Sequence, residues 1–279
     1  MLSRFCESML HASYAHAFAT ARKHGTRRNE AMAKSATKIA YKRVLLKVSG
    51  EGFCKPGAFG LDAEEMRTIA RQIQEVAGLG CELAVVVGGG NYLRGGQFAR
   101  ETDIKRSTAD YMGMVATVIN SLALQDVLEG MDVGTRVLSA IEMRDVCEPF
   151  IRRRAIRHLE KGRVVILAGG TGNPFFTTDT CAALRASELG AGALLKGTKV
   201  DGVYSDDPHK NAKAKRYEKL SYDDVIRDGL KIMDVAAVSM CKDNHIPVIV
   251  FNLKREGNIR RVIEGESIGT LIGDISRGG

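Results

Sequence analysis

The sequence predicts an α/β fold: a three-layer αβα sandwich around a central, mainly parallel sheet. Three observations carry that expectation. From Tyr41 onward, short β-rich or wholly apolar runs alternate with longer amphipathic stretches, and strands separated by helices pair in parallel with helices on both faces. Residues 83–87 are apolar without alternation, as a strand buried on both faces must be. Three strands run out into glycine-rich turns, at the end of such a sheet where ligands gather.

Residues 43–48 read as the first strand. Asp62 and Glu65 have capping-box spacing and open a helix with Met66, Ile69, Ile73 and Val76 on one face, closing near Gly78 and Gly80. After the strand at 83–87, the pattern predicts a long helix over 108–128, a short strand at 136–138, a helix over 151–161 and a strand at 164–168. The alternation then repeats with a helix over 179–189 and a strand at 193–196. A loop region reaches Lys219, and its charged stretch 210–219 reads as solvated. Helices over 222–228 and 233–243, a strand at 248–251, and a last helix and strand ending near Ile272 complete the chain.

Composition bounds the function. The 279 residues include 41 Lys and Arg against 33 Asp and Glu, 44% apolar residues and 30 Gly, a soluble globular composition that excludes general disorder. No run of about 18 uncharged apolar residues occurs, so no membrane span is expected. The six cysteines form no C-x-x-C pair, which leaves neither a zinc module nor a thioredoxin-like motif and fits a reducing, cytoplasmic setting. The net charge of +8 calls for no nucleic acid, since no RNP, homeodomain or zinc-finger signature accompanies it.

Residues 1–31 are rich in Ala, His, Arg and Ser and lack the apolar stripe of the rest. They read as a non-core extension, either an organellar transit peptide or an over-long start ahead of Met32, and the second is favoured. The domain is expected over 41–272, followed by a short tail, 273–279.

The three turns are Lys47-Val-Ser-Gly-Glu51, Gly88-Gly-Gly-Asn91 and the segment from Gly169 to Thr178. Glycines let backbone N–H groups approach phosphate oxygens, and a helix starting after each turn adds its positive end. The phosphate ligand is not that of a Walker-type kinase, because the dipeptide Gly-Lys never occurs. A dinucleotide fingerprint fails as well, since Leu93 stands where its third glycine belongs. The H-R-D and D-F-G signatures of protein kinases are missing. What remains is a phosphate cradle with scattered charges, namely Lys47, Arg94, Asp110, Asp179, Lys199 and Asp201. Phosphoryl transfer needs little beyond positioning and neutralisation of charge. Lys47 is the sharpest candidate, because a lysine inside an apolar strand is costly without an anionic partner.

These turns, together with Gly88-Gly-Gly-Asn-Tyr-Leu-Arg-Gly95, Asp110-Tyr-Met-Gly-Met114, Thr171-Gly-Asn-Pro-Phe-Phe-Thr-Thr-Asp179, Lys199-Val-Asp-Gly-Val-Tyr-Ser-Asp-Asp-Pro208 and Met233-Asp-Val-Ala-Ala, resemble the bacterial uridylate kinases of the amino acid kinase superfamily. The resemblance runs from about Tyr41 to Ile272. Its most specific part is Thr171 to Thr178; Lys-x-Ser-Gly and Gly-Gly-Gly-Asn are shared with carbamate, acetylglutamate and aspartate kinases. It implies an amino acid kinase-like fold and transfer of the γ-phosphoryl of MgATP to UMP in pyrimidine nucleotide synthesis, with Mg²⁺ arriving on the ATP phosphates and no separate protein metal site.

By position, the resemblance makes Lys47, Asp179 and Arg94 catalytic. It assigns Lys47, Ser49, Gly50, Gly90, Arg94, Thr198, Tyr204 and Asp207 to ATP. To UMP it assigns Gly89, Asp110, Thr171, Gly172, Asn173, Pro174, Phe175, Phe176, Thr177 and Thr178. It further implies a homohexamer activated by GTP and inhibited by UTP. Family members commonly carry Ala-Leu after Ser-Gly-Glu and a glycine-rich lead into Gly-Phe-Gly. Here Gly52-Phe53 and Lys55-Pro-Gly-Ala-Phe-Gly60 stand instead, in the neighbourhood that the family links to its GTP response.

Two rivals are weighed on residues. A carbamate or acylamino acid kinase of the same superfamily is disfavoured by Asp110, which would repel an acidic substrate, and by Phe175 and Phe176, which suit a base. A nucleotide-sensing regulator without turnover needs no Lys47 paired with Asp179. The chain started at Met32 is expected to keep the activity and thermal midpoint of the full chain, measured side by side. Loss of either would give residues 1–31 a part in the fold.

Overall fold

In the computed structural model the described residues are 39–206, 208, 210, 211, 213–230 and 232–275. The 1–31 segment, Asp207 and the last four residues of the tail lie outside them. The strands are β1 (Arg43–Val48), β2 (Glu82–Val87), β3 (Thr135–Ser139), β4 (Glu148–Pro149), β5 (Val164–Ala168), β6 (Ala193–Thr198), β7 (Lys219–Ser221), β8 (Val248–Asn252) and β9 (Thr270–Gly273). They form one sheet in the order β4-β3-β5-β2-β1-β6-β8-β9-β7. Every pairing is parallel except β8 with β9.

The helices are α1 (Ala63–Ala77), α2 (Gly95–Glu101), α3 (Arg106–Glu129), α4 (Arg152–Glu160), α5 (Thr178–Leu189), α6 (Tyr222–Arg227), α7 (Val235–Asp243) and α8 (Asn258–Ile263). One apolar layer joins α1, α3 and α8 to Val44, Leu46, Leu83, Val85, Leu195 and their strand neighbours. The other joins α4, α5, α6 and α7 to Leu45, Ala84, Val86, Leu167 and Leu194. The alternation of strand side chains therefore decides where the two lysines of the central strands go. Lys47 follows Leu45 and Lys196 follows Leu194 by two positions, so both fall on the face covered by α5.

Asp62 caps α1 through its side chain, as its position predicts, accepting from the N–H groups of Glu64 and Glu65. Glu65 itself pairs with Lys254 instead of completing the box; the reciprocal capping box occurs at Ser221 and Asp224, at the start of α6. Helix α2 goes unread in the sequence because it opens on two glycines and buries no side chain. The two-residue β4 and three-residue β7 are too short to carry a period. Helix α3, at 24 residues, is the one helix among the described residues long and apolar enough to cross a membrane, and here Ala109, Val118, Leu124 and Leu128 are fully or almost fully buried inside the fold.

The turns after β1 and β2 press on each other. A Cβ on Gly50 would fall 2.5 Å from the Gly90 nitrogen, and one on Gly88 would fall 2.8 Å from the Gly50 nitrogen, so neither position accepts a side chain. A buried amide pair fixes this contact from below. Asn120 Nδ2 donates to Asn91 Oδ1 (2.8 Å) and to the Gly88 carbonyl (2.7 Å), while Asn91 Nδ2 donates to Asn120 Oδ1 (3.0 Å) and the Gly60 carbonyl (2.8 Å). Asn120→Ala strands these buried groups and is expected to lower the unfolding free energy by about 1–3 kcal/mol. A urea melt with an unchanged midpoint would show that the pair does not hold the turn.

Candidate active site

Lys47 and Lys196 are direct partners in the β1–β6 register, and each is only 8% exposed. Two buried ammoniums on neighbouring strands repel each other unless an anion stands between them. The amino end of α5 supplies it. Thr177 caps that helix by accepting from Asp179 N–H and Thr180 N–H, which turns Asp179 toward the sheet. Its Oδ1 lies 3.1 Å from Lys47 Nζ and its Oδ2 2.7 Å from Lys196 Nζ. The Lys47 contact is off the hydrogen-bonding line, so Oδ1 is ion-paired and has no hydrogen bond among the described residues. Lys47 Nζ also donates to Ser49 Oγ at 3.3 Å, and Lys196 Nζ to the Ile232 carbonyl.

Burial acts to raise the Asp179 pKa, but the charges of Lys47 and Lys196 outweigh it and hold the carboxyl below the usual carboxylate value. Burial depresses Lys196, Asp179 pulls the other way, and the like charge of Lys47 adds to the depression, leaving it below the ordinary lysine value. Asp234, at the start of α7, secures the same helix end by accepting from Thr180 Oγ1 (2.8 Å) and from Thr177 Oγ1.

The carboxylate of Asp179 links two cavities, lining one and pairing with Lys196, which lines the other. One, about 550 Å³, is lined by Lys47, Gly89, Gly90, Arg94, Asp110, Thr171, Asn173, Phe176, Thr177, Thr178 and Asp179, with Arg100 and Arg106 at its α2–α3 side. The other, about 800 Å³, is lined by Lys196, Thr198, Tyr204, Leu230, Ile232 and neighbours. Asp179 therefore holds a lysine of each cavity. Such an arrangement keeps two cations converged on one point between two ligands, which suits a group passing from one to the other.

Of the residues picked from the sequence, Gly89, Gly90, Arg94, Asp110 and most of 171–178 line the first cavity and Thr198 and Tyr204 the second, while others stand beside them. Ser49 and Gly50 form the turn next to Lys47. Arg94 pairs with Glu51, which also accepts from Lys199 at 3.2 Å. Asp110 carries bonds already: Arg106 Nε lies 2.8 Å from both its oxygens, and the Phe175 N–H donates to it at 2.9 Å. Gly172, Pro174 and Phe175 complete the loop over the first cavity, with Phe175 and Phe176 exposed. Thr198 spends its hydroxyl on the backbone at the end of β6, near the Val200 (2.7 Å) and Phe251 (3.1 Å) carbonyls. Asp201 braces Asn252 and Arg255 and lines neither cavity. Asp207 lies outside the described residues.

Lys196 and Asp234 are the members that sequence reasoning missed. The signal for Lys196 was present, since it interrupts an apolar strand just as Lys47 does. Asp234 had only the helix-cap signal, which any helix start shows.

The sequence model of the amino acid kinase family matches residues 42–252. Among solved structures, the chain is similar to UMP kinase from Bacillus anthracis, at 42% identity over 85% of this chain and 97% of that one, with a TM-score of 0.82. UMP kinase from Ureaplasma parvum is 36% identical over 83% and 98%, with a TM-score of 0.78. Uridylate kinase from Archaeoglobus fulgidus is 28% identical over 82% and 99%, with a TM-score of 0.63.

Removing the shared anion leaves two buried cations face to face. Asp179→Asn is expected to lose about 3–5 kcal/mol of stability at pH 7. Because the folded-state pKa of Asp179 is depressed, its stabilisation is complete above the usual value of 3.8 and disappears as the pH falls through its own lower value. Urea melts of wild type and variant should differ widely at neutral pH and converge in acid. Equal stability at pH 7 would contradict the shared-carboxylate account.

Proposed function

The chain belongs to the amino acid kinase family, and we propose that it transfers the γ-phosphoryl of MgATP to UMP, giving UDP and ADP. The observation that carries this reading is the Asp179 carboxylate shared by Lys47, which lines one cavity, and Lys196, which lines the other. A phosphate oxygen of UMP attacks the γ-phosphorus, and the bond to the β,γ-bridging oxygen breaks. The nucleophile is already an anion near neutral pH, since a phosphate monoester has a second pKa of about 6. No general base is required, and the site offers cations instead.

ATP occupies the cavity along β6 and β8, with Tyr204, Thr198 and Asp207 about its adenosine and Ser49, Gly50, Gly90 and Arg94 at its phosphates. Mg²⁺ enters as part of this substrate and neutralises charge on the β- and γ-phosphates. UMP occupies the other cavity, framed by Gly89, Asp110 and residues 171–178, where an ionised carboxylate suits two adjacent ribose hydroxyls. Lys47 and Lys196 neutralise the phosphoryl group between them, and Asp179 fixes their positions.

The resemblance carries the reading further, to a cytoplasmic homohexamer in pyrimidine nucleotide synthesis, activated by GTP and inhibited by UTP. Light scattering at micromolar concentration tests the assembly, and a monomeric mass would overturn it.

A coupled assay with ATP and a panel of UMP, CMP, dTMP, acetylglutamate and carbamate tests the reaction itself. Turnover is expected with UMP; turnover only with an acidic acceptor, or with none, would contradict the reading. Lys47→Met keeps the apolar stem and removes the charge, so kcat should fall by roughly 10²-fold or more with far-UV circular dichroism unchanged. A fully active variant would sink the role given to Lys47.

A further inference from the structure

Arg106 is the first residue of α3, and the first turn of that helix has no acidic residue. Helix physics does not explain it there. A cation at the amino end opposes the helix dipole, and Arg placed four residues ahead of Asp is the weaker order for an ion pair along a helix. Its Nε nevertheless lies 2.8 Å from both oxygens of Asp110. Among the described residues its terminal nitrogens make no hydrogen bond.

Three walls of the first cavity converge on this pair. A Cβ on Gly95, at the start of α2, would fall 2.4 Å from Asp110 Oδ1, and one on Gly96 would fall 3.2 Å from Arg106 Nη1, so α2 begins on two glycines because it lies directly on the pair. On the opposite side, Asp110 Oδ2 accepts the Phe175 N–H at 2.9 Å, and the Arg106 guanidinium carbon stands 5.8 Å from the centre of the Phe175 ring. Phe175 has φ +71°, a left-handed conformation that a bulky side chain avoids unless its surroundings impose it. In that conformation the Phe175 N–H is held by the Asp110 carboxylate, which Arg106 binds in turn.

We infer that Arg106 is a positioning residue for the acceptor nucleotide: it orients Asp110 toward the acceptor's ribose and, through Asp110, holds the 171–178 loop in its binding conformation. This rests on the assignment of that cavity to UMP. Arg106 acts on how well the acceptor is held and not on the transfer step, which takes place at Lys47 and Asp179.

The test is a double-mutant cycle of Arg106→Gln and Asp110→Asn, with Arg106→Lys beside it. Arg106→Gln should raise KM for UMP roughly tenfold while kcat and KM for ATP stay within about twofold. The double variant should be no worse than Asp110→Asn alone, because Arg106 works through Asp110. Arg106→Lys, which keeps the charge and loses the fork, should fall between wild type and Gln. In the nucleotide-free protein, amide hydrogen exchange in residues 171–178 should quicken in Arg106→Gln with the thermal midpoint unchanged. Wild-type KM for UMP together with wild-type exchange would overturn the inference, as would multiplicative effects in the cycle, which would make Arg106 an independent substrate contact. Should the wild type not phosphorylate UMP at all, the acceptor assignment fails, and the exchange measurement still decides whether Arg106 holds the loop.

Discussion

Two lysines on adjacent strands of a parallel sheet sharing one carboxylate is the constraint on which the rest of this molecule turns. Neither ammonium is stable where it lies without Asp179, and Asp179 reaches them only because α5 begins directly above the ends of β1 and β6. The requirement propagates outward. The Thr177 cap sets the first turn of α5, Asp234 ties that turn to α7, and the glycine turns after β1 and β2 pack on each other more closely than side chains would allow. The charge arrangement costs stability that the two apolar layers supply. What it yields is a fixed pair of cations, an arrangement that needs no reorganisation to meet an incoming anion.

The two sides of this junction are built differently. The cavity along β6 is bordered by the loop carrying Val200, Tyr204 and Ser205, where Tyr204 forms an isolated bridge with Arg216 and the Ser205 N–H donates to the Lys215 carbonyl. The cavity beneath α3 is closed by interlocking polar contacts: Thr117 Oγ1 accepts the Gly169 N–H at 2.8 Å, and Arg106, Asp110 and Phe175 join helix to loop.

Much of the fold was legible in the amino acid sequence because its helices and central strands are long enough to show their periods. Residues 43–48 and 164–168 are strands to the residue. Helix α2 was hidden by its glycines, and these are there for close approach to Asp110, a reason that exists only in three dimensions. For the site, Lys47 and the glycine turns announce themselves, being expensive or permissive residues in places that ordinary packing would fill otherwise. Lys196 carried the same signal at the end of a strand and went unread, and its pairing with Lys47 depends on a register that no local pattern encodes. Asp234 stood inside a matched segment but showed only the signal of a helix cap, and Arg106 showed none, since an exposed arginine looks the same in every sequence.

The central claim is that the shared-carboxylate pair acts on the phosphoryl group in transit and not on holding either nucleotide. Lys196→Met tests it most directly, because removing one ammonium leaves Lys47 and Asp179 as a balanced pair and the fold intact. Calorimetric titration of UMP beside steady-state turnover should show the dissociation constant within about threefold of wild type and kcat lower by roughly 10²-fold or more. A variant that loses UMP binding yet keeps its kcat at saturating UMP would contradict the account.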